Sequence, residues 1–388
     1  MSSINPDWAY FFSDKYLPEA PFFRQEHVNN LKKLIETSYY HNIPATIFLE
    51  GPTGTGKTMT FRIVERELKK METPDLRIIY INGRDKTTLE VARAILRSLN
   101  VPTPRKGYSI GNYLSMIESE MKTMDAHLHV CIDEVDRVGV KGSYNVESLL
   151  YFFSRADNVS CTIITNDFLF LNRIQDPRVR SSITKDRSIT FNRYTEEQCF
   201  EILKDRCMKA FSGEVISEED LRSIARFVSR ESGDIRDALR ILYLATDMAL
   251  KTGKNRITFG DAIEAWKKLE VERIESKVQT LPESLKLVLI SIYLLMRETG
   301  RVDFVSREIY GKVCELREKL GRQTISHQNI RNQLSELETY GLIEKTVRGK
   351  GRGSGIERKY RLVFTSIPKA METDPYLYSL LKISGLRR

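Results

Sequence analysis

Eight residues constrain this chain more than any others: Gly51-Pro-Thr-Gly-Thr-Gly-Lys-Thr58. They follow a short apolar run at 46–50 and lead into a segment of helical periodicity. In that strand–loop–helix setting the glycines at 54 and 56 let backbone N–H groups turn inward, and the helix N-terminus adds positive partial charge. The result is a cradle for phosphate oxygens. Residues 51–58 supply its backbone, Lys57 reaches toward the outer phosphates of a nucleoside triphosphate, and the Thr58 hydroxyl is available to magnesium.

The segments around the loop agree with it. Between residues 40 and 192, β-branched runs at 46–50, 77–82, 128–133, 159–165 and 188–191 alternate with longer amphipathic stretches. Parallel strands require such crossovers, so the expected fold is an α/β domain with a five-stranded parallel sheet. From 195 to about 277 no strand is evident. Apolar residues there recur at helical spacing over 196–211, 218–231, 234–251 and 258–275, which predicts a small helical bundle. Pro282 opens a third unit, with helices expected over 283–299, 303–320 and 326–340, strands near 342–347 and 358–364, and one short helix over 375–386. The expected domains are therefore 1–193, 194–281 and 282–388.

A triphosphate site of this class needs acids from a neighbouring strand. The run Leu128-His-Val-Cys-Ile-Asp133-Glu134 supplies them. Asp133 is the expected magnesium partner, and Glu134 the group that orients or deprotonates an attacking water. Adjacent strand residues face opposite ways, so both serve one site only if the strand ends at Glu134; Asp136 then faces elsewhere. The segment 16–26, rich in proline and aromatics, either walls one side of a base or straps the core.

Charge separates the two ends of the chain. The net charge is +9, yet 20 Lys and Arg face 12 Asp and Glu from Pro282 onward, leaving 41 against 40 for the first 281 residues. A basic domain on a neutral one points to a polyanion partner. Within it, Ile330, Leu334 and Leu337 share one helical face, which leaves Gln328, Arg331, Asn332 and Ser335 outward, with Asn329 beside them. Gly341 is placed to stop that helix. The glycine-rich wing that follows carries Arg348, Lys350, Arg352 and Arg358, cations suited to a phosphate backbone or a minor groove.

Several classes are set aside. No apolar run approaches the roughly 20 residues of a membrane helix, and the N-terminus has no secretory pattern. Five scattered cysteines without a C-x-x-C pair fit a reducing compartment. His127 and His129 have no further ligands spaced to join them, so no metal site is expected there.

Taken in order, the stretch 12–31, the phosphate loop, 132–136, Thr165-Asn166-Asp167, 176–182, Gly233-Asp-Ile-Arg-Asp-Ala-Leu239 and the basic C-terminal unit resemble one family. They look like the AAA+ replication initiators of the archaeal origin-recognition/cell-division-cycle type. The resemblance implies an AAA+ domain, a helical lid and a C-terminal winged helix. It implies ATP or ADP with Mg2+ as cofactors and weak ATPase activity stimulated by assembly. Thr60, Phe23, Arg24, Tyr194 and Ile235 would then join the nucleotide environment. Asn166 resembles the polar sensor, Arg236 the second sensor on the lid, and Arg178 or Arg180 a finger for a neighbouring subunit's nucleotide. Arg105 and Lys106 fall where initiators carry an extra DNA-touching helix, and Gln25 departs from the acid that usually follows the arginine. The implied partners are double-stranded origin DNA, the replicative helicase and other initiator subunits or paralogues, in a cytoplasmic, nucleoid-associated setting without membrane contact. A clamp-loader or remodelling subunit shares the first two domains but usually ends in a helical collar. The second rival is a non-catalytic transcription regulator that keeps bound nucleotide as a structural element.

Overall fold

The computed structural model describes residues 7–13, 15–71, 73–103, 107–139, 146–183, 187–349, 356–363 and 367–384. They form two compact units, 1–262 and 263–388.

In the first unit the order is α1 (Trp8–Phe11), α2 (Gln25–His41), β1 (Ala45–Glu50), α3 (Lys57–Lys70), β2 (Leu76–Asn82), α4 (Thr88–Ser98), α5 (Ile110–Met124), β3 (His127–Asp133), α6 (Glu147–Phe153), β4 (Val159–Thr165), α7 (Pro177–Ser182), β5 (Ser188–Thr190), α8 (Glu196–Ala210), α9 (Glu218–Glu231) and α10 (Ile235–Thr252). The five strands pair in parallel in the order β2-β3-β4-β1-β5. Strands β3 and β4 are buried along their whole length, because helices cover both faces. Leu128, Val130 and Ile132 of β3 enter one core with Phe48, Ile95 and Phe153, while Cys131 joins the opposite core with Ile47, Leu49 and Phe61. Reciprocal capping fixes where several helices start: Thr87 with Glu90, Ser109 with Asn112, and Thr195 with Gln198.

Register decides the site. Glu50 of β1 lies opposite Thr165 of β4, and Asp133 of β3 opposite Ile164. The carboxyl ends of β1, β3 and β4 therefore open side by side, where ligands of parallel sheets bind.

The helical bundle departs from expectation in two places. An isolated parallel bridge joins Ile216 to Ile257 where no strand was expected. Helix α11 (Phe259–Thr280) runs past 275 because no Gly or Pro follows Gly260 until Pro282, and it carries the chain from the first unit into the second.

The second unit continues with α12 (Glu283–Thr299), β6 (Phe304–Val305), α13 (Ser306–Lys319), α14 (His327–Thr339), β7 (Ile343–Gly349), β8 (Ile356–Leu362), α15 (Ile367–Thr373) and α16 (Pro375–Ile383). The antiparallel order β6-β8-β7 makes this a winged-helix sheet. Strand β6, within the helix expected from 303, is two residues long and too short to show a period. A second C-terminal helix, α15, precedes the expected one. Between them Asp374 caps α16 through the Leu377 amide (3.0 Å) and pairs with buried Lys286 of α12 (2.5 Å). Among the described residues no helix is long and apolar enough to cross a membrane.

Candidate nucleotide site and nucleic-acid interface

The phosphate loop leaves β1 with Gly54 and Gly56 at φ +70° and +94°, where a side chain would be strained. A Cβ on Gly56 would also come within 2.6 Å of the Tyr194 hydroxyl, and one on Gly54 within 1.8 Å of Asp234 Oδ1. Lys57 Nζ donates to the carbonyls of Gly51 and Pro52 (2.7 Å each) and to Asn166 Oδ1 (2.9 Å). This ammonium is buried, and desolvation lowers its pKa to about 8 against the opposing pull of Asp133.

Thr58 Oγ1 and the Tyr80 hydroxyl both donate to Asp133 Oδ2 at 2.7 Å. Burial, reinforced by the Asp133 charge, pushes the Tyr80 pKa up, so Tyr80 stays a donor. Strand β3 ends at Asp133, and Glu134 follows at φ +54°. The left-handed turn swings Glu134 toward the same side, where Arg84 holds it through Nε (2.8 Å) and Nη2 (2.9 Å). Asp136 faces the end of β4: its Oδ1 accepts from Thr165 Oγ1 (3.2 Å) and, more loosely, from the Asn166 amide (3.5 Å).

Above these groups lies a cavity of about 1000 Å3 whose lining includes Thr53, Thr55, Lys57, Thr58, Asp133, Glu134, Asn166, Tyr194, Ile235 and Arg236. Tyr16 and Phe22 line it as well, whereas neighbouring Phe23 is exposed at φ +55°. Arg24 is buried beneath the loop. Its Nε donates to the Thr55 carbonyl (2.9 Å), its Nη2 to the Asn192 carbonyl (2.6 Å), and its guanidinium lies 4.2 Å from the Tyr194 ring centre. Thr60 is fully buried in the first turn of α3. Arg236 sits at the start of α10 in a two-point pair with Asp234 (3.1 and 2.7 Å).

The inward lysine, the side-chain-free cradle and the Thr58–Asp133 pair fit a magnesium-bound nucleoside triphosphate. Arg84, Tyr80 and Asp234 were missed in the sequence. Arg84 comes near Glu134 only because β2 pairs with β3, Asn82 opposite Asp133, and no local pattern announces that.

Of the two finger candidates, Arg178 is the more available. Its side chain is 79% exposed and pairs with Asp176 at 3.2 Å, while the Arg180 guanidinium is turned back onto the Ile174 carbonyl.

In the second unit, Ile330, Leu334 and Leu337 of α14 are fully buried. Gln328, Asn329, Arg331, Asn332 and Ser335 are exposed, with Gln328 Nε2 donating to Asn332 Oδ1 at 3.2 Å. Gly341 stops the helix at φ +69°. Strands β7 and β8 pair antiparallel out to Gly349 opposite Ile356, so both lead toward one wing tip. Arg358 is exposed on β8, whereas Lys345 and Arg361 pair with Glu338 and Glu344. Arg348 belongs to β7, and Arg105, Lys106, Lys350 and Arg352 lie outside the described residues. The histidines of β3 are buried hydrogen-bonding groups: His127 meets Ser160 (2.9 Å), and His129 meets Ser160 and Thr162 (2.8 Å each).

Three family models match along the chain: an AAA domain over 44–168, a Cdc6 AAA+ ATPase-type lid domain over 200–267, and a CDC6 C-terminal winged-helix domain over 276–366. The chain is 31% identical to the ORC1-type DNA replication protein 1 of Sulfolobus acidocaldarius, covering 87% of this chain and 85% of that protein. It is 30% identical to the ORC1-type DNA replication protein of Methanothermobacter thermautotrophicus, covering 89% and 90%. Among solved structures, the Aeropyrum pernix ORC1 protein in complex with DNA superposes with a TM-score of 0.84 at 29% identity, covering 96% of this chain and 98% of that one.

Proposed function

Because this chain belongs to the ORC1-type DNA replication protein family, uniting an AAA+ module, a lid and a winged helix, we propose that it is an ATP-dependent initiator that grips duplex origin DNA and promotes loading of the replicative helicase. The observation that carries this reading is the pairing, in one polypeptide, of a buried Lys57 beside a Thr58–Asp133 hydrogen bond with an outward row of Gln328, Arg331, Asn332 and Ser335 on α14.

In this reading each residue has one task. Lys57 binds the outer phosphates, and the backbone of 51–56 holds the rest. A magnesium ion held by Thr58 and Asp133 would offset phosphate charge. Glu134 accepts a proton from the attacking water, Asn166 orients that water, and Arg236 reads the terminal phosphate from the lid. Arg178 completes the site of a neighbouring subunit, so hydrolysis is slow in the isolated chain. The α14 row meets base edges or phosphates in a major groove, and the wing follows the backbone beside it. DNA bound by the Aeropyrum pernix relative supports this assignment.

The decisive experiment is footprinting of the protein on its own chromosome with ATP and with the Glu134→Gln variant. Protection of repeats at a replication origin is the expected result. Protection confined to promoters, with nucleotide turnover unchanged by Glu134→Gln, would instead make it a nucleotide-holding transcription regulator.

A further inference from the structure

Gly54 has two reasons to lack a side chain, and only one of them is phosphate. Its φ of +70° suits the cradle, but the space beside its Cα is taken by Asp234 from the lid, 1.8 Å from where a Cβ would stand. The Asp234 side chain is 14% exposed and serves both the lid helix and the loop. It caps α10 through the Arg236 amide (2.9 Å), and takes the Arg236 guanidinium at Nε (3.1 Å) and Nη2 (2.7 Å). It also accepts a hydrogen bond from Thr53 of the loop, and it presses on Gly54. Burial opposes its charge, yet these donors, Arg236 foremost, hold its carboxyl below the usual aspartate range.

From this geometry we infer that Asp234 is a latch between the lid and the phosphate loop, and the positioning residue for Arg236. One carboxylate fixes the guanidinium by its Nε–Nη2 edge and ties the same helix end to Thr53. Arg236 therefore approaches the outer phosphates only while the lid is seated on Gly54. Asp176 and Arg178 repeat the arrangement at the start of α7: the carboxylate caps the helix at the arginine amide (2.8 Å) and takes the guanidinium at two points. There the carboxylate is 30% exposed against 14% at 234, and it is the copy at 234 that meets the phosphate loop, which makes it the one able to transmit lid position.

The inference rests on the reading of Arg236 as the phosphate sensor, and the test separates the two. Affinities of the full chain for ATP and ADP are measured for the parent, Asp234→Asn, Arg236→Ala and the double variant, with amide exchange of residues 53–55 followed in parallel. Asp234→Asn keeps a capping oxygen and removes the charge; Asp234→Ser repeats the test if the amide disturbs folding. The latch requires that Asp234→Asn weaken ATP about tenfold, as expected for loss of a charge-assisted pair, with much less effect on ADP. The double variant should be no worse than Arg236→Ala, and residues 53–55 should exchange faster. An unchanged or increased preference for ATP in Asp234→Asn overturns the positioning role, and unchanged exchange overturns the latch. If Arg236→Ala leaves the ATP preference intact, the sensor reading fails, and exchange at 53–55 still decides the latch.

Discussion

Glu134 leaves β3 through a left-handed turn, and its carboxylate is then taken by Nε and Nη2 of Arg84. With both carboxylate oxygens taken, one contact has to open before Glu134 can meet a water, so Arg84 restrains Glu134. Arg84 is 66% exposed, and exposed pairs are worth under about 1 kcal/mol. Arg84→Ala should therefore raise basal ATP turnover by only about two- to fivefold, measured as phosphate release; a fall in turnover would mean that Arg84 assists the reaction. Lys57 supplies a second test. Its pKa of about 8 lies far below the ordinary lysine range because burial penalises its charge. Phosphate binding needs the ammonium, which is the minority form once the pH exceeds about 8. ADP affinity should hold from pH 6.5 to 7.5 and decline above 8, and a flat profile to pH 9.5 would contradict this account.

Among elements, β3 is unusual in placing two histidines on a buried face. Desolvation lowers His127 to about 4 and His129 to about 3, both below the ordinary 6.5. The neutral forms are favoured in the folded chain, so their contribution is complete above pH 6.5 and drains away as the pH falls toward 4. Each histidine adds about 1.4 kcal/mol per pH unit to the slope across that window. Urea unfolding between pH 7 and 4.5 should show a shallower slope for His129→Gln than for the parent, whatever its stability at pH 7. The wing is the second element open to test. Deleting residues 350–355 removes Lys350 and Arg352. Each phosphate that the shortened wing no longer neutralises lowers the log–log salt slope of duplex binding by about 0.9, so an unchanged slope would show that the wing does not touch DNA.

At the scale of the whole molecule, Arg178 is absent from the described lining of the chain's own nucleotide cavity. Arg178 is exposed at the start of α7, while Arg180 is engaged with the Ile174 carbonyl. Arg178→Ala should leave nucleotide affinity unchanged and abolish the rise of turnover with protein concentration, whereas Arg180→Ala should act mainly on stability. Where arginine fingers operate they contribute about 10³–10⁵ in rate, so the effect is large if assembly occurs. Equal concentration dependence in Arg178→Ala and parent would exclude this residue as the finger.

The sequence alone determined the elements whose signals are local. A phosphate loop between strand and helix, an apolar strand ending in two acids, and the spacing of Ile330, Leu334 and Leu337 each follow from backbone conformation and residue periodicity within one segment. Strand β6 and helix α15 escaped because two residues, or seven with a proline at the second, carry too little period to read. What only the tertiary structure decided is which distant groups meet. Parallel pairing of β2 with β3 brought Arg84 to Glu134, the order of β1, β4 and β3 gathered Lys57, Asn166 and Asp133, and lid packing set Asp234 against Gly54. Such encounters depend on register and packing summed over many residues, and no short stretch of chain contains them.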